Sequence, residues 1–200
     1  MVRFLKKLFS GGDDVSRRLI VGLGNPGQKY EKTRHNIGFE ALRCLGDRWG
    51  IEISRGKFHG VYGTGEVRGV PVALLEPQTF MNLSGKSVQA AAKFFDVPPE
   101  EIIVFHDEID LEPGKLKLKQ GGGHGGHNGL RDMVKHLSSK EFIRVRMGVG
   151  RPEHGDVSGY VLSKFTPYEA DLIDDLVQRA CDAVETILRE DLTAAQNAFH

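Results

Sequence analysis

Apolar residues along this chain fall into four short runs that are separated by longer amphipathic segments. The runs occupy residues 19–23, 70–75, 102–105 and 145–149. The first three are continuous, as is typical of strands buried on both faces of a parallel sheet. Helical periodicity occurs between them, at about residues 36–49, 84–95 and 129–137. This alternation of strands and helices predicts an α/β fold.

Two further segments alternate between apolar and polar residues. One covers residues 58–67, and the other covers 115–119, where Leu116 and Leu118 point to one face and three lysines point to the other. Alternation of this kind is typical of antiparallel strands with one solvent-exposed face. We therefore expect a single mixed sheet, mostly parallel and flanked by helices, with antiparallel strands added to it.

The last long helix has a clear start in the sequence. Thr166-Pro167-Tyr168-Glu169 combines a capping box with proline at the first helical position. The apolar stripe that follows has helical spacing and consists of Leu172, Ile173, Leu176, Val177, Ala180, Val184 and Ile187. Such a stripe predicts a C-terminal helix docked on the core.

Length and composition narrow the class of protein. The chain has 200 residues, of which 40% are hydrophobic and 27% charged, and its formal net charge is zero. These values are ordinary for one globular domain, and no apolar run is long enough to cross a bilayer. Cys44 and Cys181 lie in helical apolar patterns, which favours reduced, buried thiols over a disulfide framework. Because the net charge is zero, a nucleic-acid contact requires a local basic patch.

Residues 1–16 differ from the rest of the chain. They begin with a short basic amphipathic stretch and break at the sequence SGGDD. Lys6 and Lys7 interrupt the apolar residues, and no small-residue cleavage site follows, so the segment is a poor signal peptide. We expect a flexible extension over 1–16 and a domain over 17–200. A helix that lies on a membrane surface is the alternative for the extension.

Gly22, Gly24 and Gly27 have the spacing of the glycine fingerprint of dinucleotide-binding enzymes. That fingerprint requires a helix that opens at the glycines and receives the pyrophosphate at its N-terminus. Residues 28–35 have no apolar periodicity, and the helical pattern resumes only near Asn36. A dinucleotide site is therefore disfavoured, and the polar residues in this segment need another explanation.

Polar side chains directly follow the apolar runs. In open α/β sheets, ligands bind beyond the carboxyl ends of the strands, which is where these side chains are expected to lie. Asn25 follows the first run, Asn82 the second and Asp107 the third, and His35 lies in the long loop after the first. An aspartate can fix the tautomer of a histidine and stabilise its charged form, so the pair can activate water as a general base. Asparagine amides can donate to a developing oxyanion without adding charge. Gly-x-Ser-x-Gly is absent, which favours direct attack by water over a covalent intermediate.

A glycine-rich segment, residues 121–129, leads into the third helix and places Asn128 near its N-terminus. Its histidines, His124 and His127, are alternatively metal ligands, although no paired cysteine motif accompanies them. Structural roles are the alternative for two other residues: Asn25 precedes Pro-Gly as turn-forming asparagines do, and Asp107 begins an acidic loop. The clustering of the set at one sheet edge favours a functional site.

Basic residues also cluster on two predicted strands and on the helix between them. They are Lys115, Lys117, Lys119, Arg131, Lys135, Arg144 and Arg146. A surface of this kind can bind phosphates. A solvated strand edge protected by lysine is the alternative.

Four longer segments read VGLGNPGQKYEKTRHNIGF, PQTFMNLSGKSV, HDEIDLEPGKLKLKQGGGHGGHNGLRD and FIRVRMGVGRP. In this order and at this separation they closely resemble bacterial peptidyl-tRNA hydrolases, and the resemblance covers about residues 18–195. It implies a phosphorylase/hydrolase-like domain and an esterase that separates peptide from tRNA on prematurely released peptidyl-tRNA. It also implies a cytoplasmic, usually monomeric enzyme that uses no metal or other cofactor.

The positions that match this family imply roles for individual residues. His35 resembles the catalytic base and Asp107 its orienting partner, and Asn25 belongs with this pair. The implied substrate-binding residues are Tyr30, Phe80, Met81, Asn82, His127 and Asn128. By the same resemblance, Asn25, Asn82 and Asn128 hold the peptide backbone and the ester end of the substrate. The implied clamp for the 5′-phosphate of tRNA consists of Lys117, Lys119 and Arg146. Only the N-terminal extension has no counterpart in the family.

An RNA-binding module that keeps the fold without hydrolysis is the rival prediction. The intact pair of His35 and Asp107 favours an enzyme. Asparagines suit such an enzyme because they can read the donors and acceptors of a peptide backbone regardless of its side chains. Lysine and arginine contacts with phosphates position tRNA without reading its sequence.

Overall fold

A computed structural model describes residues 16–152 and 154–200, and the centre of the fold is a seven-stranded sheet. The strands are β1 (Arg18–Gly22), β2 (Arg55–Lys57), β3 (Gly60–Val67), β4 (Val70–Pro77), β5 (Ile102–Glu108), β6 (Leu116–Gln120) and β7 (Ile143–Gly148). Their order across the sheet is β2-β3-β4-β1-β5-β7-β6. The four central strands are mutually parallel, and the antiparallel pairs lie at the two edges. The predicted α/β class and mixed sheet are confirmed.

Helices cover both faces of the sheet. They are α1 (Ile37–Trp49), α2 (Ser84–Phe95), α3 (Asn128–Leu137), α4 (Val157–Val161), α5 (Ala170–Arg189) and α6 (Leu192–Phe199). Successive residues of a strand point to opposite faces, so Ile20 packs in the cluster of α1, α5 and α6 while Val21 packs in that of α2 and α3. Strands covered on both faces are apolar at nearly every position, which explains the continuous runs of β1 and β5.

One antiparallel edge begins later than predicted. The strand expected over 58–67 begins at Gly60, because Phe58 and His59 have φ angles of 59° and 54° and form a two-residue turn from β2. Positive φ at both positions matches the twist of a hairpin, but the usual Asn-Gly signal of such a turn is missing here. No pattern therefore indicated β2. At the other edge β6 alternates as predicted, with its leucines buried and its lysines exposed.

The C-terminal helix docks on the core as predicted, but α5 begins at Ala170, after the capping residues. Oε2 of Glu169 accepts hydrogen bonds from the backbone N–H and the hydroxyl of Thr166, at 2.7 and 2.8 Å. Six of the seven stripe residues are buried, whereas Leu172 is 42% exposed. It lies in the first turn of α5 against Gly114 in an edge loop, so only part of its surface is covered.

The short helix α6, which was not predicted, protects the exposed edge of β6. The backbone N–H of Leu118 donates to Nε2 of His200 at 2.7 Å. The backbone carbonyl of Leu118 accepts from the side chain of Gln196 at 3.0 Å. An unpaired strand edge is a template for unwanted pairing, so these contacts satisfy groups that would otherwise be open.

The structure tests the prediction for the two cysteines but not most of the prediction for residues 1–16. Cys44 and Cys181 are free, with Cys181 buried as predicted and Cys44 only partly buried. Of the predicted extension over 1–16, residues 1–15 lie outside the described part of the chain. Within the described ranges, no helix combines the length and apolarity that a membrane crossing requires.

Candidate active site

The carboxyl ends of β1, β4 and β5 open into a cleft of about 580 Å³. The start of α3 and the short helix α4 contribute to its walls. All residues assigned from the sequence to catalysis and substrate binding line it, namely Asn25, Tyr30, His35, Phe80, Met81, Asn82, Asp107, His127 and Asn128. The fold therefore brings together side chains that are widely separated along the chain.

His35 and Asp107 form a buried hydrogen-bonded pair in this cleft. Asp107 lies near the end of β5, and His35 lies in a short 3-10 turn directly before α1. Nδ1 of His35 is 2.8 Å from Oδ1 of Asp107, and the two residues are only 9% and 4% exposed. An ionised carboxylate can only accept hydrogen bonds, so Nδ1 carries the hydrogen and Nε2 keeps the lone pair.

Burial and charge act in opposite directions on this pair. Burial lowers the pKa of His35, but the charge of Asp107 and its hydrogen bond raise that pKa more, so it lies above the ordinary value of 6.5. Burial also works to raise the pKa of Asp107, but His35 and His127 hold it well below its usual range. Asp107 therefore stays ionised and favours the protonated form of His35.

His127 contacts the same carboxylate oxygen. Its Nε2 is 3.0 Å from Oδ1 of Asp107, and its Nδ1 accepts from the backbone N–H groups of Gly129 and Leu130 at 3.1 and 3.3 Å. Because Nδ1 accepts, the hydrogen lies on Nε2 and points at Asp107. His127 is thus the N-cap of α3, while Asn128 is the first residue of that helix and lines the cleft.

The side chains of His35, Asp107 and His127 also have the composition of a small metal site, because their ligand atoms lie within 4.8 Å of one another. A metal ion requires a lone pair on each coordinating nitrogen. Here the nitrogens that face Asp107 are the ones that carry hydrogen, so the arrangement favours a hydrogen-bonded group. His124 lies outside this cluster, and its Nδ1 accepts from the N–H of Gly126 at 3.1 Å.

Asn25 is held through both its side chain and its backbone. Its Oδ1 accepts from the backbone N–H of Met81 at 2.8 Å, which ties the end of β1 to the turn after β4. Asn36 accepts from the Asn25 N–H at 2.8 Å and donates to the Asn25 carbonyl at 2.9 Å. With Oδ1 occupied, the Nδ2 amide of Asn25 is the group left to donate into the cleft. No sequence pattern indicated this role of Asn36.

Two of the three glycines in GLGNPG permit a close helix contact. A Cβ at Gly22 would lie 2.3 Å from the carbonyl oxygen of Gly38, and one at Gly24 would lie 2.7 Å from the ring of Phe39. Gly27 differs, because its φ of 104° is what favours glycine there. The spacing that resembles a dinucleotide fingerprint therefore lets the start of α1 pack against the end of β1.

Arg34 joins the turn that carries His35 to the segment after α4, and nothing in the sequence singled it out. Its guanidinium donates to Oγ of Ser163 at 2.9 Å, to the carbonyl of Lys164 at 2.6 Å, and to both carboxylate oxygens of Glu169 at 2.8 and 2.9 Å. Since α4 forms part of the cleft wall, this buried arginine fixes that wall relative to the histidine.

Arg144 is a correction to the basic surface predicted from the sequence. It is only 4% exposed, and its guanidinium donates to the carbonyl oxygens of Gly122, at 2.6 Å, and Gly123. It anchors the glycine-rich segment that carries His127, so its charge is not free for a ligand.

His106 is a second buried histidine beside Asp107. Its Nδ1 donates to the carbonyl oxygen of Asp107 at 2.8 Å, and its ring centroid lies 5.2 Å from that of His127. Burial, with the nearby charge of His127, lowers the pKa of His106 to about 3. It therefore stays neutral and packs against the residues that hold the carboxylate.

The three cations of the implied phosphate clamp lie outside the cleft, on β6 and β7. Lys117 is directly opposite Arg146, and Lys119 lies two residues further along the same strand face. Nε of Arg146 donates to Oε2 of Glu108 at 3.0 Å, and Glu108 lines the cleft. The structure thus groups the three cations on one strand face, and Glu108 connects Arg146 to the cleft.

Similarity to known proteins identifies the family. The family model described as peptidyl-tRNA hydrolase matches residues 19–200. A peptidyl-tRNA hydrolase of Geotalea daltonii is 50% identical over 183 residues, covering 92% of this chain and 96% of that protein. One of Haemophilus influenzae is 50% identical over 186 residues, covering 92% and 96%. The crystal structure of peptidyl-tRNA hydrolase from Acinetobacter baumannii superposes with a TM-score of 0.88 at 44% identity, covering 94% of this chain and 97% of that one. The resemblance of the four sequence segments is confirmed, and the chain belongs to the peptidyl-tRNA hydrolase family.

Proposed function

We propose that this chain hydrolyses the ester bond between peptide and tRNA in peptidyl-tRNA, and so recycles tRNA from peptidyl-tRNA released prematurely in translation. Membership of the family supports the reaction. The observation that carries the mechanism is the 2.8 Å hydrogen bond between Nδ1 of His35 and Oδ1 of Asp107 in the cleft. Because this bond occupies Nδ1, Nε2 of His35 is the basic atom available to water.

In the proposed reaction, Nε2 of His35 takes a proton from water while the water oxygen attacks the ester carbonyl carbon. Asp107 stabilises the imidazolium that forms, in surroundings from which water is largely excluded. As the tetrahedral intermediate collapses, the bond to the ribose oxygen breaks and the imidazolium returns its proton to that oxygen. The products are a tRNA hydroxyl and a peptide carboxylic acid, which ionises in water.

The amide groups of three asparagines supply neutral hydrogen bonds to the substrate. The Nδ2 amide of Asn25 is oriented by the contact of its Oδ1 with Met81, which supports a role as donor to the oxyanion. Asn82 and Asn128 line the cleft and hold the peptide backbone. Amides both donate and accept, so they suit a backbone whose side chains vary.

The remaining cleft residues provide contact surface and support. Tyr30, Phe80 and Met81 form an apolar wall, in which Phe80 is 55% exposed and available to substrate. His127 has two roles in this proposal. It contacts substrate, and its hydrogen bond to Asp107 supports a role in holding that carboxylate.

In this proposal, Lys117, Lys119 and Arg146 bind the 5′-phosphate at the acceptor end of the tRNA. Phosphate contacts position a nucleic acid without reading its sequence, which suits an enzyme that acts on many tRNAs. We expect the chain to act as a monomer, as the family resemblance implies. Translation supplies the substrate in the cytoplasm, which supports activity in that compartment.

Hydrolysis of an N-acetylated aminoacyl-tRNA in the presence of a chelator tests the proposal. We expect turnover by the wild type and a decrease of at least about a hundredfold in kcat for His35→Asn, given the usual size of general-base effects. His59→Asn, at an exposed histidine in the turn between β2 and β3, is the matched control and is expected to keep full activity.

Each other outcome has a distinct meaning. Binding of the substrate by the wild type without turnover would support an RNA-binding module. Activity that disappears with chelator would support a metal-dependent hydrolase. Near wild-type turnover by His35→Asn would remove His35 as the base.

A further inference from the structure

Glu108 is a carboxylate that belongs to both the cleft and the basic face. It is the last residue of β5, directly after Asp107, and its side chain is 13% exposed. Oε2 accepts from Nε of Arg146 at 3.0 Å, and Oε1 accepts from the backbone N–H of Asp110 at 3.1 Å. Because both oxygens are held, the carboxylate has one defined orientation.

This contact leaves the ligand-binding part of Arg146 open. Glu108 uses only the Nε–H, and no other hydrogen bond or ion pair of the Arg146 side chain is found within residues 16–152 and 154–200. A guanidinium held at Nε presents its two terminal nitrogens as a planar fork, which matches the oxygens of a phosphate. Lys117 lies opposite Arg146 on β6, so the fork and an ammonium group share one face.

A carboxylate beside an anion site has an electrostatic cost, because it repels the ligand. The cost depends on the ligand. A phosphodiester carries one negative charge, whereas a terminal phosphate monoester carries close to two near neutral pH. A monoester is attracted more strongly than a diester by the surrounding cations, but it is also repelled more strongly by Glu108. The carboxylate can therefore assist phosphate binding through the orientation it gives Arg146, and not through its charge.

We propose that Glu108 is a positioning residue for recognition of a terminal phosphate: it holds Arg146 at Nε and so aims the free fork of the guanidinium at the phosphate oxygens. Since Glu108 and Asp107 are neighbours on one strand, the phosphate contact has a defined position relative to the catalytic carboxylate. This inference rests on the proposed function and assigns a new residue to it.

Steady-state kinetics with two substrates test the role. One is an N-acetylated aminoacyl-tRNA with its 5′-phosphate, and the other is the same molecule after phosphatase treatment. For Glu108→Ala we expect KM on the phosphorylated substrate to rise about five- to tenfold, the usual net size for one hydrogen bond, with kcat changed less than about twofold. On the dephosphorylated substrate, the KM of this variant should equal that of the wild type.

Three further variants make the result specific. Glu108→Gln keeps an acceptor oxygen for Arg146, so its KM should stay within about twofold of the wild type on both substrates. In an Arg146→Gln background, Glu108→Ala should have no additional effect. Glu112→Ala removes the same charge from an exposed position in the following loop and should leave both KM values unchanged.

An equal rise in KM on both substrates, or a fall in kcat on both, would overturn the inference, because Glu108 would then only support Asp107. If Glu108→Ala lacks a cooperative thermal transition, Glu108→Asp replaces it, because aspartate keeps the charge on a shorter side chain. Its KM should then rise on the phosphorylated substrate only, and by less than is expected for Glu108→Ala. If the wild type turns over neither substrate, the proposed function fails. The inference is then decided by whether wild type, but not Glu108→Ala, binds 5′-phosphorylated tRNA more tightly than dephosphorylated tRNA.

Discussion

The cleft and the basic face of β6 and β7 are built in opposite ways. In the cleft, Asn25, His35 and Asp107 are buried, and each is held by specific hydrogen bonds. On the basic face, Lys117 and Lys119 are exposed. General-base chemistry needs a defined tautomer and defined distances, whereas attraction between charges persists over about 10 Å at moderate salt. The two regions therefore place different demands on the fold.

The difference predicts that changes in the cleft act on kcat, whereas changes on the basic face act on binding. Arg146 is the exception on the basic face, because Glu108 holds it. The two neighbouring carboxylates of β5 thus separate the tasks: Asp107 serves the base and Glu108 serves the phosphate contact. Three further measurements test this contrast between the cleft and the basic face.

The largest effect is expected at the centre of the cleft. Asp107→Asn keeps an acceptor oxygen but removes the charge that stabilises imidazolium, so kcat should fall at least about a hundredfold. Asp174→Asn, on the exposed face of α5, is the matched control. Single-turnover hydrolysis of a peptidyl-tRNA measures the effect. A fall of less than about tenfold would mean that the buried pair is not the catalytic device.

A smaller effect is expected on the basic face. Replacing Lys117, Lys119 and Arg146 by glutamine should weaken tRNA binding and flatten the dependence of log K on log salt, by about one unit of slope for each phosphate that is no longer neutralised. The rate at saturating substrate should not change. Lys93→Gln, at an exposed lysine of α2, controls for net charge. A salt slope equal to that of the wild type would exclude these residues from phosphate binding.

The smallest effect is a displacement of the pH profile. His35 must be neutral to act as a base, and its pKa lies above 6.5, so kcat should rise with pH through a midpoint above 6.5. In Asp107→Asn, burial is no longer opposed by a charge, so the midpoint of the residual activity should move to lower pH. The lysine and arginine variants should keep the wild-type midpoint. A wild-type midpoint below 6.5 would contradict the electrostatic account of the pair.

The accuracy of the fold prediction depends on how local the signal is. The helix expected over 84–95 has those bounds in the structure, because a periodic stripe and the following prolines are both local. The turn at Phe58 and His59 was missed because its residues lack the usual hairpin composition. Helix α6 was missed because its contacts with β6 join residues far apart in the sequence.

The candidate site shows the same division. Its nine cleft residues were predicted from strand ends and from the family resemblance, and all nine line one cleft. Asn36, Arg34 and His106 were not singled out, although each holds part of the catalytic group. Their partners are set by packing, and Arg34 reaches more than a hundred positions along the chain to Glu169. No residue type or spacing indicates a contact of that kind.

The α/β class, the central strands, the chemical types at the strand ends and the family could all be predicted from the sequence. Periodicity and composition carry that information because they depend on neighbours a few residues apart. The folded chain alone shows which nitrogen of His35 and of His127 carries hydrogen, that Arg144 anchors the glycine-rich segment, and that Glu108 holds Arg146. Those facts depend on hydrogen bonds between groups that folding brings within about 3 Å, and such distances leave no trace in sequence spacing.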